Sequence, residues 1–555
     1  MKKLLSTILA LALTFTAVFT LVGCQQGEAI DPNRTQIYVS VQSLGVGDTF
    51  LTSLKKKYEA YNPKAQIMPV RNGTGDPKAE IQNGGYDVYM FTNCNITDYV
   101  TWSTLNSDYF VDITDIVTAK PSLEEKSIHE RLFDGTRDYF NIGTDAAPKY
   151  IGLPWFNAYY GSVYDVDLFE QMHYFSTDPS SVLSYEGYDG IAGTEDDNWG
   201  PDGKEGSFDD GLPATYGDLK QLWLVMKEDV TPYCWTSFKG YSQAWLSSVW
   251  VAYEGQNFTL MTDFDGNYYT SNAEPLEVNS SNGYLMSKQW GKLAALKVAE
   301  DIIGGSYYLP ASLNTSQDNI LSQTSFLESV ESSRPIAMMM EGTWWENEAK
   351  GVFSEMETFI DAKYAYGTRR FGYMPFPRMV GEGVPEGVPQ QWNEKVSIRG
   401  GDVGSSCSMV AISKKSKNIE MAKDFVKFAY SEAMCADFNI ESGTSRPIEY
   451  EMSATELSKM TYYQQQIYQI AQLSKDPNSN VEVISGQNRS NYIKTDLEFI
   501  NKISTFVSRR ENVSAEISNP FEHFASPGAM TAEEYFDNVG LIVTKALWDN
   551  KFGNI

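Results

Sequence analysis

A strand–helix alternation early in the chain limits the fold more than any other feature. From Thr35 to Ser43, apolar side chains fall at Ile37, Val39 and Val41, a period of two that predicts a strand. Leu51, Leu54, Tyr58 and Tyr61 then recur at helical spacing until Asn62-Pro63 stops the helix. Ala65 to Val70 reads as a second strand. Asp76-Pro77 opens another helix with proline in its first turn, and Tyr86 to Phe91 is a third strand. A βαβαβ run demands a mainly parallel sheet with helices on both faces, and ligands of such sheets sit beyond the carboxyl ends of the strands. Thr92-Asn93-Cys94-Asn95 is one such end.

A second α/β region begins near Tyr159 to Tyr164. It continues through helices expected at Thr215 to Glu228, Tyr241 to Glu254 and Leu285 to Ile303. Thr215 with Asp218 three residues on is a variant of the capping box. Pro335 to Glu341, Arg369 to Pro377 and Cys407 to Ser413 read as strands. Ala422, Phe425 and Phe428 mark one further helix, and Ala433 to Glu441 another, closed by Gly443. The last hundred residues look mostly helical.

The N-terminus carries an export signal. Lys2-Lys3 precede an uncharged stretch from Leu4 to Val22, which ends in Leu21-Val22-Gly23-Cys24. This segment resembles a bacterial lipoprotein signal, which implies cleavage before Cys24 and a lipid on that cysteine. Removing Lys2 and Lys3 takes the formal charge from -28 to about -30, which repels phosphate backbones and anionic lipid surfaces and disfavours a nucleic-acid partner. Besides Cys24 there are Cys94, Cys234, Cys407 and Cys435, without C-x-x-C spacing; pairing in an oxidising exterior and burial as free thiols both stay open.

Several phrases in order resemble family 1 extracellular solute-binding proteins, the carbohydrate receptors of ABC importers. They are Ile151-Gly152-Leu153-Pro154-Trp155 with Tyr164-Asp165-Val166-Asp167-Leu168-Phe169, then Leu212-Pro213-Ala214-Thr215-Tyr216-Gly217-Asp218-Leu219, then Ala337-Met338-Met339-Met340-Glu341-Gly342-Thr343-Trp344-Trp345. Gly372-Tyr373-Met374-Pro375-Phe376-Pro377 follows, and Ile412-Ser413 through Ser416 to Ala422 leads on to Ser442-Gly443-Thr444-Ser445-Arg446-Pro447. The resemblance implies an α/β, two-lobed periplasmic-binding-protein-like fold of type II with three hinge crossings. These are expected near Asn157 to Gly161, Ala337 to Gly342, and just after Ile412. It assigns 1–23 to the signal peptide and 24–34 to a tether. The N-terminal lobe would hold 35–158 and 340–412, and the C-terminal lobe 159–339 and 413–555 with an acidic insert at 187–211. It also implies capture of a carbohydrate, an oligosaccharide by the size of the chain and its aromatic content, and delivery by hinge closure to the membrane permease of an ABC importer. The chain would act as a monomer, held outside the cell membrane, or in the periplasm, by the lipid on Cys24.

A sugar presents C–H faces and hydroxyls, so its site needs aromatic plates beside fixed donors and acceptors. Trp155 and Asn157 stand at the first expected crossing, and Glu341, Trp344 and Trp345 at the second. In the family the Gly-x-Trp phrase opens a helix beside the ligand, which singles out Trp344 or Trp345; the other suits a core. Asn93 and Asn95 suit hydroxyls as well as turns. Tyr233, Trp235 and Trp245 suit a further stacked ring as well as a packed core. Arg446 suits a ligand or a carboxylate partner.

Two copies of D-G-x-x-G-[T/S]-x-D-D stand thirteen residues apart, from Asp189 to Asp197 and from Asp202 to Asp210. Their glycines permit tight turns. Asp189, Asp196, Asp197, Asp202, Asp209 and Asp210 offer the oxygens that calcium requires, although the spacing is not that of a full EF-hand. Large family members such as alginate-oligosaccharide receptors are similar in carrying a calcium loop before the equivalent Leu-Pro-x-Thr phrase. The expected role is structural, and a solvated acidic loop is the competing reading. The chain has no G-x-S-x-G elbow, H-E-x-x-H, Walker loop or dinucleotide fingerprint, so a receptor is expected and not an enzyme. A secreted glycoside hydrolase is the alternative, since its carboxylate pair needs no local signature; a receptor for another solute, such as a peptide, is the second.

Overall fold

The computed structural model describes residues 29–42, 45–71, 80–82, 84–95, 109–121, 124–175, 197–236, 239–270, 273–314, 318–400, 406–476, 478–484 and 502–552. The signal segment, Cys24, Asp189 and Asp196 lie outside them, as does the start of the helix expected at Asp76-Pro77.

The first lobe is built on the predicted alternation. Strand β1 (Thr35–Val41) pairs in parallel with β2 (Ala65–Arg71) on one side and β3 (Val88–Asn95) on the other. Between β1 and β2 runs helix α1 (Thr49–Tyr61), which buries Phe50, Leu51, Leu54 and Tyr58. Tyr61 stays exposed, and Asn62 caps the helix where proline forbids another turn. The last strand of this sheet arrives from far along the chain, in the order β9-β3-β1-β2, with β9 (Ser406–Ile412) antiparallel to β3.

The second lobe holds a four-stranded sheet in the order β5-β6-β4-β7. It consists of β4 (Tyr160–Asp165), β5 (Thr231–Cys234), β6 (Ile336–Gly342) and β7 (Phe371–Met374). β6 is buried along its whole length between parallel β5 and antiparallel β4, so it lacks polar alternation. Helix α2 (Tyr216–Asp229) begins as predicted. Thr215 accepts from the Asp218 backbone N–H, and the Asp218 carboxylate accepts from the Thr215 backbone N–H at 2.9 Å. Helices α3 (Lys239–Glu254) and α4 (Trp290–Gly305) pack on one another, α5 (Asn319–Glu328) flanks β6, and β8 (Val396–Arg399) pairs in parallel with β10 (Val481–Ile484).

The expected division of the chain is corrected in two places. The strand that contains Ala337 to Gly342 is not a crossing: β6, β7 and β8 all belong with the second lobe. Nor does the chain leave the first lobe after Ile412. Helices α6 (Ile419–Ala429) and α7 (Glu432–Ser442) pack against α1, and only later does α8 (Tyr462–Leu473) settle on β7 and β10. An apolar strand announces that it is buried, but its side chains do not say which of two sheets receives it.

The crossings meet side by side. Asn157 donates its backbone N–H to the Ser445 carbonyl at 2.7 Å, and Tyr159 bridges to Gly400. The chain therefore passes between lobes at about 157–159, between Gly400 and Ser406, and beyond Tyr450, since Ile448 still pairs with Leu132 of the first lobe. The expected crossing at Asn157 to Gly161 is where the first of these lies. Among the described residues, no helix is long and apolar enough to cross a membrane. The C-terminal hundred residues are helical in large part but contribute β10 and two short paired strands as well.

Candidate functional site

The turn that follows β1 faces the turn that follows β6. At the first-lobe edge, Gln42 donates to the Glu80 carboxylate at 3.2 Å, and its Oε1 accepts from the Thr92 backbone N–H. Gly45 and Gly47 follow with φ of 54° and 71°, which a side chain would resist. This tight turn brings bare backbone against the second lobe. A Cβ on Gly45 would stand 2.6 Å from the Trp344 ring, and one on Gly47 would stand 2.5 Å from the Asn347 amide. Asn347 itself donates to the carbonyls of Gly45 and Val46, at 3.1 and 2.6 Å.

On the second-lobe side the half-buried Trp344 sits edge-on to Tyr160, with ring centroids 5.1 Å apart, and lies against Tyr241 and Glu348. The Arg399 guanidinium covers the Tyr160 ring at 4.9 Å. Behind the tryptophan two carboxylates share one amide. Gln323 donates its Nε2 to Glu341 at 3.3 Å and to Glu348 at 2.9 Å, and Asn319 adds a bond to Glu348 at 3.0 Å. Burial and the neighbouring Glu348 push the Glu341 carboxyl well above the usual carboxylate range; burial likewise raises Glu348. The seam thus combines aromatic faces with oxygen acceptors and amide donors, which is the chemistry a polyhydroxylated ligand needs.

The predicted residues divide sharply. Trp344 and Glu341 come together at the seam. Trp345, the next residue, is fully buried in the second-lobe core, ringed by Phe326, Phe353, Phe371 and Tyr463 at 5.0–6.1 Å. Trp155 is also corrected: its ring is buried in the first lobe among Phe50, Phe156 and Phe438, and its indole N–H donates to the Phe91 carbonyl at 2.7 Å. Tyr233, Trp235 and Trp245 are core residues as well. Trp245 donates to Ser162, Tyr233 packs on Trp223 and Trp245, and Trp235 lies 4.6 Å from Phe521. A tilted ring buried on every side has no face left for a ligand.

Asn157 is buried at the first crossing, and neither its amide oxygen nor its nitrogen has a hydrogen-bond partner among the described residues. The crossing strands therefore keep free polar capacity for water or a ligand hydroxyl. Arg446 is held between the Tyr430 and Phe438 rings at 4.5 and 4.4 Å, inside the first lobe, and its Nε and one terminal nitrogen have no hydrogen-bond partner among the described residues. Asn93 and Asn95 fall in the last turns of β3 at the right edge of the sheet, but their side chains lie outside the described residues.

Sequence reasoning missed Tyr160, Tyr241, Gln323, Glu348, Asn347 and Gly45. Only Gly45-Val46-Gly47 carried a signal, as a glycine pair directly after a strand.

Of the acidic insert, residues 197–211 are described, which include Asp197 and the whole second repeat. Asp202 and Asp209 are buried together. Asp209 accepts from the Asp202 backbone N–H at 3.0 Å, Asp210 accepts from those of Gly206 and Ser207, and Lys204 turns away to the Asn478 carbonyl. Gly200, Gly203, Gly206 and Gly211 all have positive φ. Burial and the adjacent Asp202 push Asp209 up to about 8. Two buried carboxylates side by side suit a cation, although no group of three or more metal-binding side chains converges among the described residues.

No protein-family model and no curated protein matches the chain. Solved structures do. The GacH receptor of Streptomyces glaucescens, determined unliganded and with acarbose and an acarbose homolog, superposes with a TM-score of 0.51 at 11% identity, over 94% of this chain and 99% of its own. A chitin oligosaccharide binding protein gives 0.52 at 14% identity, over 93% and 99%. At such identities the likeness is one of fold: the chain has the two-lobed, type II binding-protein architecture.

Proposed function

We propose that this chain is an exported solute-binding protein that holds an oligosaccharide between its lobes and presents it to the permease of an ABC importer. The observation that carries the reading is the seam itself. Trp344 and Asn347 of one lobe meet the bare backbone of Gly45 and Val46 of the other, beside the Glu341, Gln323 and Glu348 cluster. A solute lodged there touches both lobes and so favours the closed arrangement, which a transporter can tell from the empty one. The two structures named above, one of a receptor bound to acarbose and one of a chitin oligosaccharide binding protein, support a carbohydrate as the solute.

The chain binds its ligand without transforming it, and the lipoprotein-like signal ending at Cys24 supports a lipid anchor on the outer face of the cell membrane. The acidic insert holds calcium in a structural role. Asp202 and Asp209, buried together, would contribute oxygens from the described part.

Equilibrium dialysis against a mixture of malto-, chito- and uronate oligosaccharides, followed by mass spectrometry of what the protein retains, tests the reading. It predicts one intact oligosaccharide class retained by the wild-type chain and lost in Trp344→Ala. Shortened products would establish a hydrolase. Retention that Trp344→Ala leaves untouched would place the ligand elsewhere.

A further inference from the structure

The four cysteines outside the signal are scattered over more than 300 positions, yet the fold sorts them into one pair and two singles. Strands β3 and β9 run antiparallel, and their register sets Cys94 directly opposite Cys407, one step in from the Asn95–Ser406 pair that begins the ladder. Directly opposed residues of antiparallel strands have Cα atoms about 4.5–5.5 Å apart, inside the window of roughly 4.4–6.8 Å that a disulfide spans. The other two cysteines have no such relation. Cys234 is buried in β5 of the second lobe, with its thiol on the Ser322 carbonyl, and Cys435 is buried in α7 of the first, with its thiol on the Tyr430 carbonyl; both are free. Lodged in different lobes, they cannot reach each other.

We infer that Cys94 and Cys407 form a disulfide that ties β9 to β3. The position gives the bond a use. Cys407 is the second residue of the strand by which the chain re-enters the first lobe, and Cys94 is the last residue but one of β3. Inward of this pair the ladder slips, with Met409 opposite Phe91, so an irregularity separates the two terminal pairs from the rest of the ladder. A covalent tie there fixes where the second crossing joins the sheet, so lobe motion cannot unzip β9 from its neighbour.

Formation requires a disulfide oxidant, either a thiol–disulfide oxidoreductase or an oxidised small thiol. One cysteine of the pair, as thiolate, attacks a sulfur of the oxidant; a mixed disulfide forms and one oxidant thiol leaves. The second cysteine then attacks the protein sulfur of that mixed disulfide, closing the Cys94–Cys407 bond and releasing the second oxidant thiol. Two protons pass from the cysteines to the released thiols, and two electrons reduce the oxidant.

The test is peptide mapping of the full chain, alkylated in denaturant without reductant, both as exported by its host and after reduction and incubation with oxidised glutathione. The expected result is one linked peptide joining Cys94 to Cys407, with Cys234 and Cys435 alkylated. Reduction of the native protein should lower its melting temperature by about 5 °C or more, because the bond closes a very long loop; the shift should survive in Cys234→Ser/Cys435→Ser and vanish in Cys94→Ser/Cys407→Ser. Alkylation of both Cys94 and Cys407 after full exposure to the oxidant, or a peptide joining either to Cys234 or Cys435, overturns the assignment. The map is made on the wild-type chain and reads the same whatever the ligand is.

Discussion

Trp344 and Trp345 are neighbours in sequence with opposite surroundings, and replacing each by alanine should separate binding from stability. Trp345 is fully buried, so its truncation loses the transfer of a large ring and leaves a cavity, a change that costs about 3–5 kcal/mol. Four aromatic neighbours within 6.1 Å, three of them edge-on, add packing that the alanine cannot replace, so the upper half of that range is expected. Trp344 is only half-buried, and its removal should cost about 1–2 kcal/mol of stability while weakening oligosaccharide binding by roughly tenfold or more. Urea unfolding followed by circular dichroism reads the first quantity and titration calorimetry the second. The reasoning fails if Trp345→Ala keeps the wild-type midpoint but loses the ligand, or if Trp344→Ala unfolds the protein while the affinity of what remains is unchanged.

Further outcomes follow from other parts of the molecule. Gly45→Ala must adopt a positive φ and push against the Trp344 ring, so it should weaken ligand binding measured by calorimetry while the unfolding free energy from urea titration falls by about 1–2 kcal/mol. Glu254 is wholly buried and its carboxyl is pushed up to about 7 by that burial, against bonds from Gly291, Tyr268 and Asn257. The folded state therefore holds a proton that the unfolded chain gives up near 4.5, and this group's contribution to stability should fall as pH rises from about 4.5 through 7; Glu254→Gln should flatten that slope in urea titrations. Calcium should raise the melting temperature of the wild-type chain and not of Asp202→Asn/Asp209→Asn, with scanning calorimetry in chelator as the baseline; equal curves with and without calcium would remove the metal from the insert.

The sequence made the scaffold legible because its local rules agree. Ile37, Val39 and Val41 alternate, Asn62-Pro63 ends α1, Thr215 and Asp218 close a capping box, and Gly443 takes the left-handed conformation that ends α7. The site was harder to see. A tryptophan that stacks on a ligand and one that fills a core have the same composition and similar neighbours, so Trp155, Trp235, Trp245 and Trp345 could not be told from Trp344 until packing decided. The crossings failed for a related reason: β6 is apolar enough to be central in either sheet, and only its hydrogen bonds to β4 and β5 assign it to the second. Gln323 and Glu348 bear no mark in the sequence, since an amide on α5 meets a carboxylate beyond β6 only in the folded chain.

Closure of two lobes on an unaltered guest is most directly read from small-angle X-ray scattering of the chain alone and saturated with an oligosaccharide that it retains in dialysis. The radius of gyration should shrink on binding in the wild-type chain. A bound, intact sugar that leaves the scattering curve unchanged would contradict the clamp.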